Sequence, residues 1–309
     1  MIRSFYTGIS GMSGFQEKLD VTSNNIANVN TFGFKKGRQT FADLMSQTTQ
    51  GATAPGGDQL GGQNPMQVGL GSNTGSIDNI HTQGTRQTTN RPLDLAIEGD
   101  GMFAVATRTN SAGGGDDAIN YLNSDNPDEI NFTRAGNFYL DGQGYIVNSS
   151  GQYLVGDYAT DATAEDPETD LEGAPGRIQI PDGAQSFDIS SDGVVNYVNE
   201  AGQARIAGQI TLANFSNPGG LEKSGGNNFT LTDNAGLMGD EDAAAIGNTL
   251  TAPGEGGTGG LYAGALEMSN VDLSEEFTEM ITAQRGFQAN TRVITTSDEI
   301  LQELVNLKR

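Results

Sequence analysis

Both ends of this 309-residue chain carry apolar residues at heptad spacing, and the sequence between them does not. At the N-terminus the spacing alternates between three and four residues, with Gln16 and Ser23 as polar interruptions. The apolar positions are Ile2, Phe5, Ile9, Met12, Leu19 and Ile26. This pattern predicts an amphipathic helix of about 40 Å, because an α-helix rises about 1.5 Å per residue. Asn28 and Gly33 mark the turn that ends it.

A second helix is predicted from Asp272 to the C-terminus, since Asp272 and Glu275 have the spacing of a capping box. Its apolar residues are Phe277, Met280, Phe287, Ile294 and Leu301 on one heptad register, with Ile281 and Leu304 beside it. A helix with this much apolar surface favours a bundle with several partners. We expect the terminal helices to pair with each other, because loop-closure entropy grows only logarithmically with the intervening length. The alternative is two unrelated helices on the surface of a globular core.

Between the helices, short apolar runs, some of them alternating with polar residues, are separated by turn residues. Residues 93–97, 102–105 and 206–215 are such runs, and Asp141-Gly142 and Asp192-Gly193 are predicted hairpin turns. Gly contributes 44 residues, about twice its usual ~7% share, which favours frequent turns. The predicted class is therefore α+β and mostly β.

The same patterns predict a domain organisation. Residues 1–30 and 270–309 form a terminal helical domain of coiled-coil type. Residues 31–75, rich in Gly, Gln and Asn, form a connecting arm, and 76–269 form a β domain. Within the β domain, 157–204 are a possible acidic loop and small subdomain.

The composition excludes several classes of function. A formal net charge of −23 argues against binding to nucleic acid or anionic lipid. The chain has no Cys and a single histidine, His81, so disulfides, thiolate chemistry and His-rich metal sites are excluded. We predict no catalytic, cofactor-binding or metal site. Neither a transmembrane segment nor a cleaved signal peptide is expected.

Four segments resemble the bacterial flagellar rod and hook proteins in order along the chain. They are residues 10–45, 93–105, 132–157 and 266–307. The family motif falls on Asn24, Asn25, Ala27, Asn28, Gly33, Phe34, Lys35, Asn270 and Val271. The resemblance implies a structural subunit that is not an enzyme, whose two terminal helices drive assembly into a helical homopolymer.

Within the family, the match implies a hook subunit of the short Gram-positive type, because the chain has no room for a large outer domain. The alternative is a distal rod subunit. The implied partners are further copies of the chain, the distal rod protein, the hook cap, the hook-filament junction protein and the flagellar type III export apparatus. The implied location is the extracellular part of the flagellum. A glycan-binding or glycan-hydrolysing exoprotein with paired carboxylates is the hypothesis from another class.

Overall fold

The computed structural model describes residues 2–54, 61–108, 129–159, 171–236 and 250–307. They divide into two compact units. Unit 1 contains the residues up to Val29, Lys36–Ile80 and the residues from Val271 onward. Unit 2 contains Asn30–Lys35 and His81–Asn270. The chain therefore passes between the units four times, and the six residues Asn30–Lys35 belong to unit 2 although both of their flanks belong to unit 1.

Unit 1 is built on two helices, α1 (Ile2–Ala27) and α2 (Leu273–Leu307). They pair in antiparallel orientation, with Gly8 beside Ile294 and Asn25 bonded to Glu276. The predicted pairing of the terminal helices is confirmed. Asp272 caps α2 as predicted, because its Oδ1 accepts the backbone N–H of Ser274 at 2.8 Å.

A ribbon made of two successive two-stranded ladders completes unit 1. Its strands are β1 (Gly37–Asp43), β2 (Ser46–Gln50), β3 (Met66–Gly69) and β4 (Ser72–Asn79). β1 pairs with β4 and β2 with β3, both antiparallel, so the two ladders are nested. The backbone N–H of Leu44 donates to Gly71 O at 2.9 Å between them. Much of the segment predicted as a connecting arm is thus an ordered ribbon.

Unit 2 is all β. Its first strands are β5 (Arg86–Thr88), β6 (Leu95–Glu98), β7 (Met102–Thr107), β8 (Glu129–Thr133), β9 (Tyr139–Leu140), β10 (Ile146–Val147), β11 (Tyr153–Ala159) and β12 (Leu171–Arg177). The later strands are β13 (Ser186–Ile189), β14 (Val194–Val198), β15 (Ala204–Ile210), β16 (Leu212–Ala213), β17 (Glu222–Gly225), β18 (Asn228–Thr230), β19 (Leu250–Thr251), β20 (Gly260–Ala263) and β21 (Ala265–Glu267). The main sheet has the order β13-β14-β15-β11-β7-β8-β18-β17, and every pairing is antiparallel. The α+β class is confirmed.

β7 carries the core of unit 2 on both of its faces. Phe103 and Val105 belong to one apolar cluster, and Met102, Ala104 and Ala106 belong to a second. Successive side chains of a strand point to opposite faces, so the sheet is covered on both sides at β7. This explains why residues 102–106 form an unbroken apolar run rather than an alternating one.

The two predicted hairpin turns are longer than two residues. Asp141 Oδ1 accepts the backbone N–H groups of Gln143 and Tyr145, and Gly144 takes a φ of +85°. In the second hairpin Gly193 has a φ of +80°, in the left-handed region that favours glycine. Within the predicted acidic loop and small subdomain, 157–204, residues 160–170 lie outside the described residues, and the described part contains β12, β13 and β14.

Candidate assembly surface

Helix α1 presents three faces, of which the first packs against α2. The buried or half-buried residues on that face are Gly8, Gly11, Phe15, Lys18, Thr22 and Asn25. They repeat at spacings of three and four, one position before the apolar stripe that the sequence marks as the seam. α1 therefore meets α2 through Phe15 and small and polar residues rather than through its own predicted apolar stripe.

Glycines let the two helices approach closely. A Cβ added at Gly11 would lie 2.8 Å from Asn290 Nδ2, and one at Gly286 would lie 2.6 Å from Phe15 Cζ. Large side chains of each helix thus sit over glycines of the other, which fixes the register of the pair. A salt bridge of 3.2 Å between Lys18 and Glu279 lies along the same seam.

The second face of α1 packs against the ribbon. A Cβ at Gly14 would lie 2.7 Å from Phe41 Cε1, and the Phe15 and Phe41 rings are 5.6 Å apart. Thr74 Oγ1 donates to Glu17, and Gln39 Nε2 donates to Gly14 O at 3.3 Å. The ribbon therefore covers the side of α1 that carries Gly14 and Glu17.

The third face carries the predicted apolar stripe and stays open within unit 1. Ile9 is 45% exposed, and its stripe neighbours Phe5, Met12, Leu19 and Ile26 are half-buried. Thr291 Oγ1 donates to Met12 Sδ at 3.7 Å, so α2 presents its Thr291 side to the same face. Thr291 follows Phe277 by two heptads, and the exposed Phe277 (49%) and Ile281 (52%) continue the apolar surface there. We call Ile9, Met12, Leu19, Phe277 and Ile281 the open face.

The remaining predicted assembly residues lie in three places. Met280, Phe287, Ile294 and Leu301 are half-buried along the α2 side of the seam. Leu304 is 48% exposed in the last turns of α2, which has 35 residues against 26 in α1. Ile2 lies in the first turn of α1.

The family motif residue Asn25 joins three elements of unit 1. Its Nδ2 donates to Gly37 O at 2.8 Å and to Glu276 Oε2 at 3.1 Å, and its Oδ1 accepts the Gly37 N–H at 2.9 Å. Asn25 thereby ties the end of α1 to the start of β1 and to the first turn of α2. Burial raises the pKa of Glu276, while the hydrogen bond from Asn25 acts against that rise.

Asn24 and Asn28 form the end of α1. Asn28 Nδ2 donates to Asn24 O at 2.9 Å and to Asn24 Oδ1 at 3.0 Å. The Asn24 carbonyl also accepts the backbone N–H of Asn28 at 3.2 Å, so the Asn28 side chain adds further hydrogen bonds at the end of the helix. Ala27, the last residue of α1, is exposed.

In unit 2 the motif residue Lys35 belongs to a buried ion cluster. Its Nζ donates to Glu267 Oε1 at 2.7 Å and to Thr82 O at 2.7 Å, and its side chain has no exposed surface. Arg134 Nη1 donates to Glu267 Oε2 at 3.0 Å, and the Gly84 N–H donates to Oε1 at 2.9 Å. One buried carboxylate is therefore shared by two cations. Burial lowers the pKa of Lys35, against the raising effect of Glu267.

His81 lies beside this cluster and is held neutral. Its ring is 5.3 Å from the ring of Phe229, and neither ring nitrogen has a hydrogen-bond partner among the described residues. Burial, together with the charges of Lys35, Arg134 and Lys223, lowers the pKa of His81 to about 4. That His81 has no metal or catalytic role stays a prediction.

The other motif residues hold backbone segments in place. Gly33 has a φ of +68°, and a Cβ there would lie 2.5 Å from Ala135 N, so only glycine fits. Phe34 is buried, with Lys223 Nζ 5.0 Å from its ring centroid. Asn270 Nδ2 donates to Thr82 Oγ1 at 3.0 Å.

Sequence patterns do not mark Glu267, Arg134 or Glu276 as site residues. Glu267 is separated from Lys35 by 232 positions and from Arg134 by 133, so no local spacing connects them. Glu276 follows the capping residue and reads as an ordinary acidic residue in a first helical turn. The one available signal is that all three residues fall inside segments that resemble the family.

Three family models match the chain. Residues 5–35 match a model described as "Flagella basal body rod protein", and 119–197 match "Flagellar hook protein FlgE/F/G D1 domain". Residues 262–307 match "Flagellar basal body rod FlgEFG protein C-terminal".

Relatives align over the whole chain. The flagellar basal-body rod protein FlgG of Bacillus subtilis (strain 168) is 49% identical over 309 residues, covering all of both chains. Two proteins of Borreliella burgdorferi also cover all of both chains. Its flagellar hook protein FlgE is 31% identical over 471 residues, and its rod protein FlgG is 33% identical over 311.

The chain is a structural subunit of the bacterial flagellar axis: it belongs to the FlgE/F/G family of flagellar rod and hook proteins. Its place is the flagellum and its contribution is to motility; it is not an enzyme. Neither helix of the described residues is long and apolar enough to cross a membrane.

Proposed function

We propose that this chain is a distal rod subunit of the flagellar basal body. The observation that carries the proposal is the length of the alignments. The two Borreliella burgdorferi relatives have similar identities, but the rod protein aligns over 311 residues and the hook protein over 471. The hook alignment therefore places at least 162 positions opposite gaps in this 309-residue chain. The rod alternative thus has better support than the hook function expected from the sequence.

We further propose that the open face of unit 1 binds a second copy of the chain. α2 and the ribbon cover the other two faces of α1, so the described residues of unit 1 leave the apolar stripe only partly covered. Ile9, Phe277 and Ile281 expose apolar surface there, and covering such surface stabilises association by about 25 cal/mol per Å². Since the residues that meet across the contact need not be the same in both copies, the contact does not have to close on itself and can extend into a filament.

The charge of the chain supports an apolar contact. Each copy carries a net charge of −23, so two copies repel each other at long range. Attraction at the contact must exceed this repulsion, and the uncharged open face is where it can do so. Salt screens the repulsion, so we expect assembly to be favoured by rising ionic strength up to physiological values.

The partners follow from this proposal. We retain further copies of the chain and the type III export apparatus as partners. We also retain export without cleavage to the extracellular part of the flagellum. The distal rod protein, expected as a partner of a hook subunit, becomes the chain itself. The hook cap and the hook-filament junction protein belong to the hook hypothesis.

Electron microscopy of basal bodies from a strain lacking the gene tests the rod assignment. We expect the distal rod and everything beyond it to be missing, and complementation to restore both. An intact rod that lacks only the curved hook segment would show that the chain is a hook subunit and would overturn the proposal.

A matched pair of double variants tests the open face. Phe277→Asp with Ile281→Asp places two charges on it, and we expect a soluble protein with a folded unit 2 that does not assemble. Thr278→Asp with Thr282→Asp introduces the same charges at the same spacing on exposed positions one residue along α2. This control should still assemble. Normal motility of the Phe277 and Ile281 variant in the deletion strain would show that the open face is not the contact.

A further inference from the structure

The loop Asn30–Lys35 is held in unit 2 by contacts along its whole length. The Gly33 N–H donates to Glu267 O at 2.8 Å, and Asn227 Nδ2 donates to Phe32 O at 2.7 Å. Lys223 Nζ donates to Lys35 O at 3.4 Å. The chain enters this loop two residues after the end of α1 and leaves it one residue before the start of β1.

Lys35 is the charged residue that the loop places in the interior. Its Nζ reaches Glu267 and the carbonyl of Thr82, and its side chain has no exposed surface. Withdrawing the loop would remove one of the two cations from a carboxylate that is itself fully buried. Removing a partner from a buried ion pair is costly because the remaining charge loses its compensation. The ion cluster therefore opposes release of the loop.

We propose that Lys35 is a positioning residue that anchors this loop in unit 2, and that assembly of the subunit requires the anchor; this inference rests on the proposed function. α1 ends at Ala27 and β1 begins at Gly37, so two residues and one residue separate the anchored loop from these elements. Two of the four passages of the chain between the units thus lie at the two ends of this loop.

The anchor is distinct from the core that folds unit 2. Neither Phe34 nor Lys35 belongs to either of the two apolar clusters of unit 2. Arg134 Nη1 donates to Glu267 Oε2 at 3.0 Å, and we expect this bond to remain when the lysine is replaced. Loss of the Lys35 ammonium should therefore release the loop while β7 and its neighbours stay folded.

Hydrogen–deuterium exchange of the monomeric full-length chain tests the anchor. In Lys35→Met we expect the amide of Gly33 to exchange about 10-fold faster or more, with no change for the amides of β7. Lys36→Met is the matched control, since the adjacent lysine pairs with Glu275 at 2.9 Å and is partly exposed. It should leave the Gly33 amide unchanged. An unchanged Gly33 amide in Lys35→Met would overturn the anchor.

Imaging of the axial structure in the complemented deletion strain tests its role. We expect Lys35→Met to be exported without assembling and Lys36→Met to assemble. Faster Gly33 exchange with normal assembly would overturn the requirement for the anchor. If Lys35→Met also accelerates amide exchange in β7, the variant Phe34→Ala tests the role of the loop instead. This substitution loosens the same loop but leaves the residues of the ion cluster unchanged. Assembly of Phe34→Ala with a released loop would overturn the inference.

These outcomes are separate from those of the proposed function. The segment missing from the deletion strain decides between rod and hook, whichever result Lys35→Met gives. The exchange of the Gly33 amide is measured on monomers and does not depend on that assignment.

Discussion

Acidification should destabilise unit 2 through His81. The neutral imidazole lies near the cations Lys35, Arg134 and Lys223, and the carboxylate of Glu267 is already shared by two of them. Protonation adds another positive charge beside this cluster. Burial and these charges lower the pKa of His81 to about 4 in the folded chain, from 6.5 for the free side chain.

The size of the effect follows from this difference in pKa. Between pH 6.5 and pH 4 the unfolded state binds a proton that the folded state does not, so the free energy of unfolding rises with pH across this window. One pKa unit corresponds to about 1.4 kcal/mol, so unit 2 should lose about 2 kcal/mol between pH 7 and pH 5 and about 3 kcal/mol by pH 4. The loss should be complete below pH 4.

Urea unfolding followed by tyrosine fluorescence is a suitable assay. Seven of the eight tyrosines lie within residues 81–270, so the signal reports on unit 2. A loss of about 2 kcal/mol moves the urea midpoint by about 1 M. The chain has one histidine, but burial also raises the pKa of Asp157 in unit 2, so a variant without the imidazole is needed to assign the titration to His81.

The variant His81→Gln provides the control. Its free energy of unfolding should depend less on pH than that of the wild type between pH 5 and pH 7, whatever the absolute stability of the variant. Equal pH dependence of the variant and the wild type would refute the assignment of a buried, neutral His81.

Three further outcomes are expected in unit 1. Gly286→Ala adds a methyl group 2.6 Å from Phe15 Cζ, so amide exchange of α1 in the assembled filament should accelerate. An isolated α2 peptide with the same substitution should gain helicity. Slower exchange in the filament would contradict the close packing of the helices. Because burial raises the pKa of Glu276, its contribution to helix pairing is present at low pH and is lost as pH rises through the pKa of the folded state. Glu276→Gln should therefore protect the amides of α1 from exchange more than wild type at pH 7 and remove the pH dependence of that protection. Weaker protection in the variant would argue against this pKa shift. In dilute monomer, amides of α1 and α2 should exchange much faster than those of β7, because the open face lacks a partner; protected helices in the monomer would be inconsistent with this.

Local patterns were sufficient to predict the elements of this chain. A heptad spacing needs only neighbouring residues, and it predicts both terminal helices and the cap at Asp272. Alternation and turn residues likewise predict short strands and the two hairpins near Asp141 and Asp192. The ribbon of residues 37–79 was predicted as an arm because its Gln-, Thr- and Gly-rich strands lack apolar alternation, and their pairing is set by hydrogen bonds and by contacts with α1.

What the sequence alone determined is therefore the class, the pairing of the terminal helices and the family. The tertiary structure decided which face of each helix is used. Hydrophobic periodicity depends only on the positions of apolar side chains. The closest contacts of α1 and α2 form at Gly11 and Gly286, where the absence of a side chain lets the helices approach each other. The buried cluster of Lys35, Arg134 and Glu267 could not be predicted for a related reason. Its members are far apart along the chain, and a charged residue becomes an anchor only when the fold removes it from water and supplies its partner.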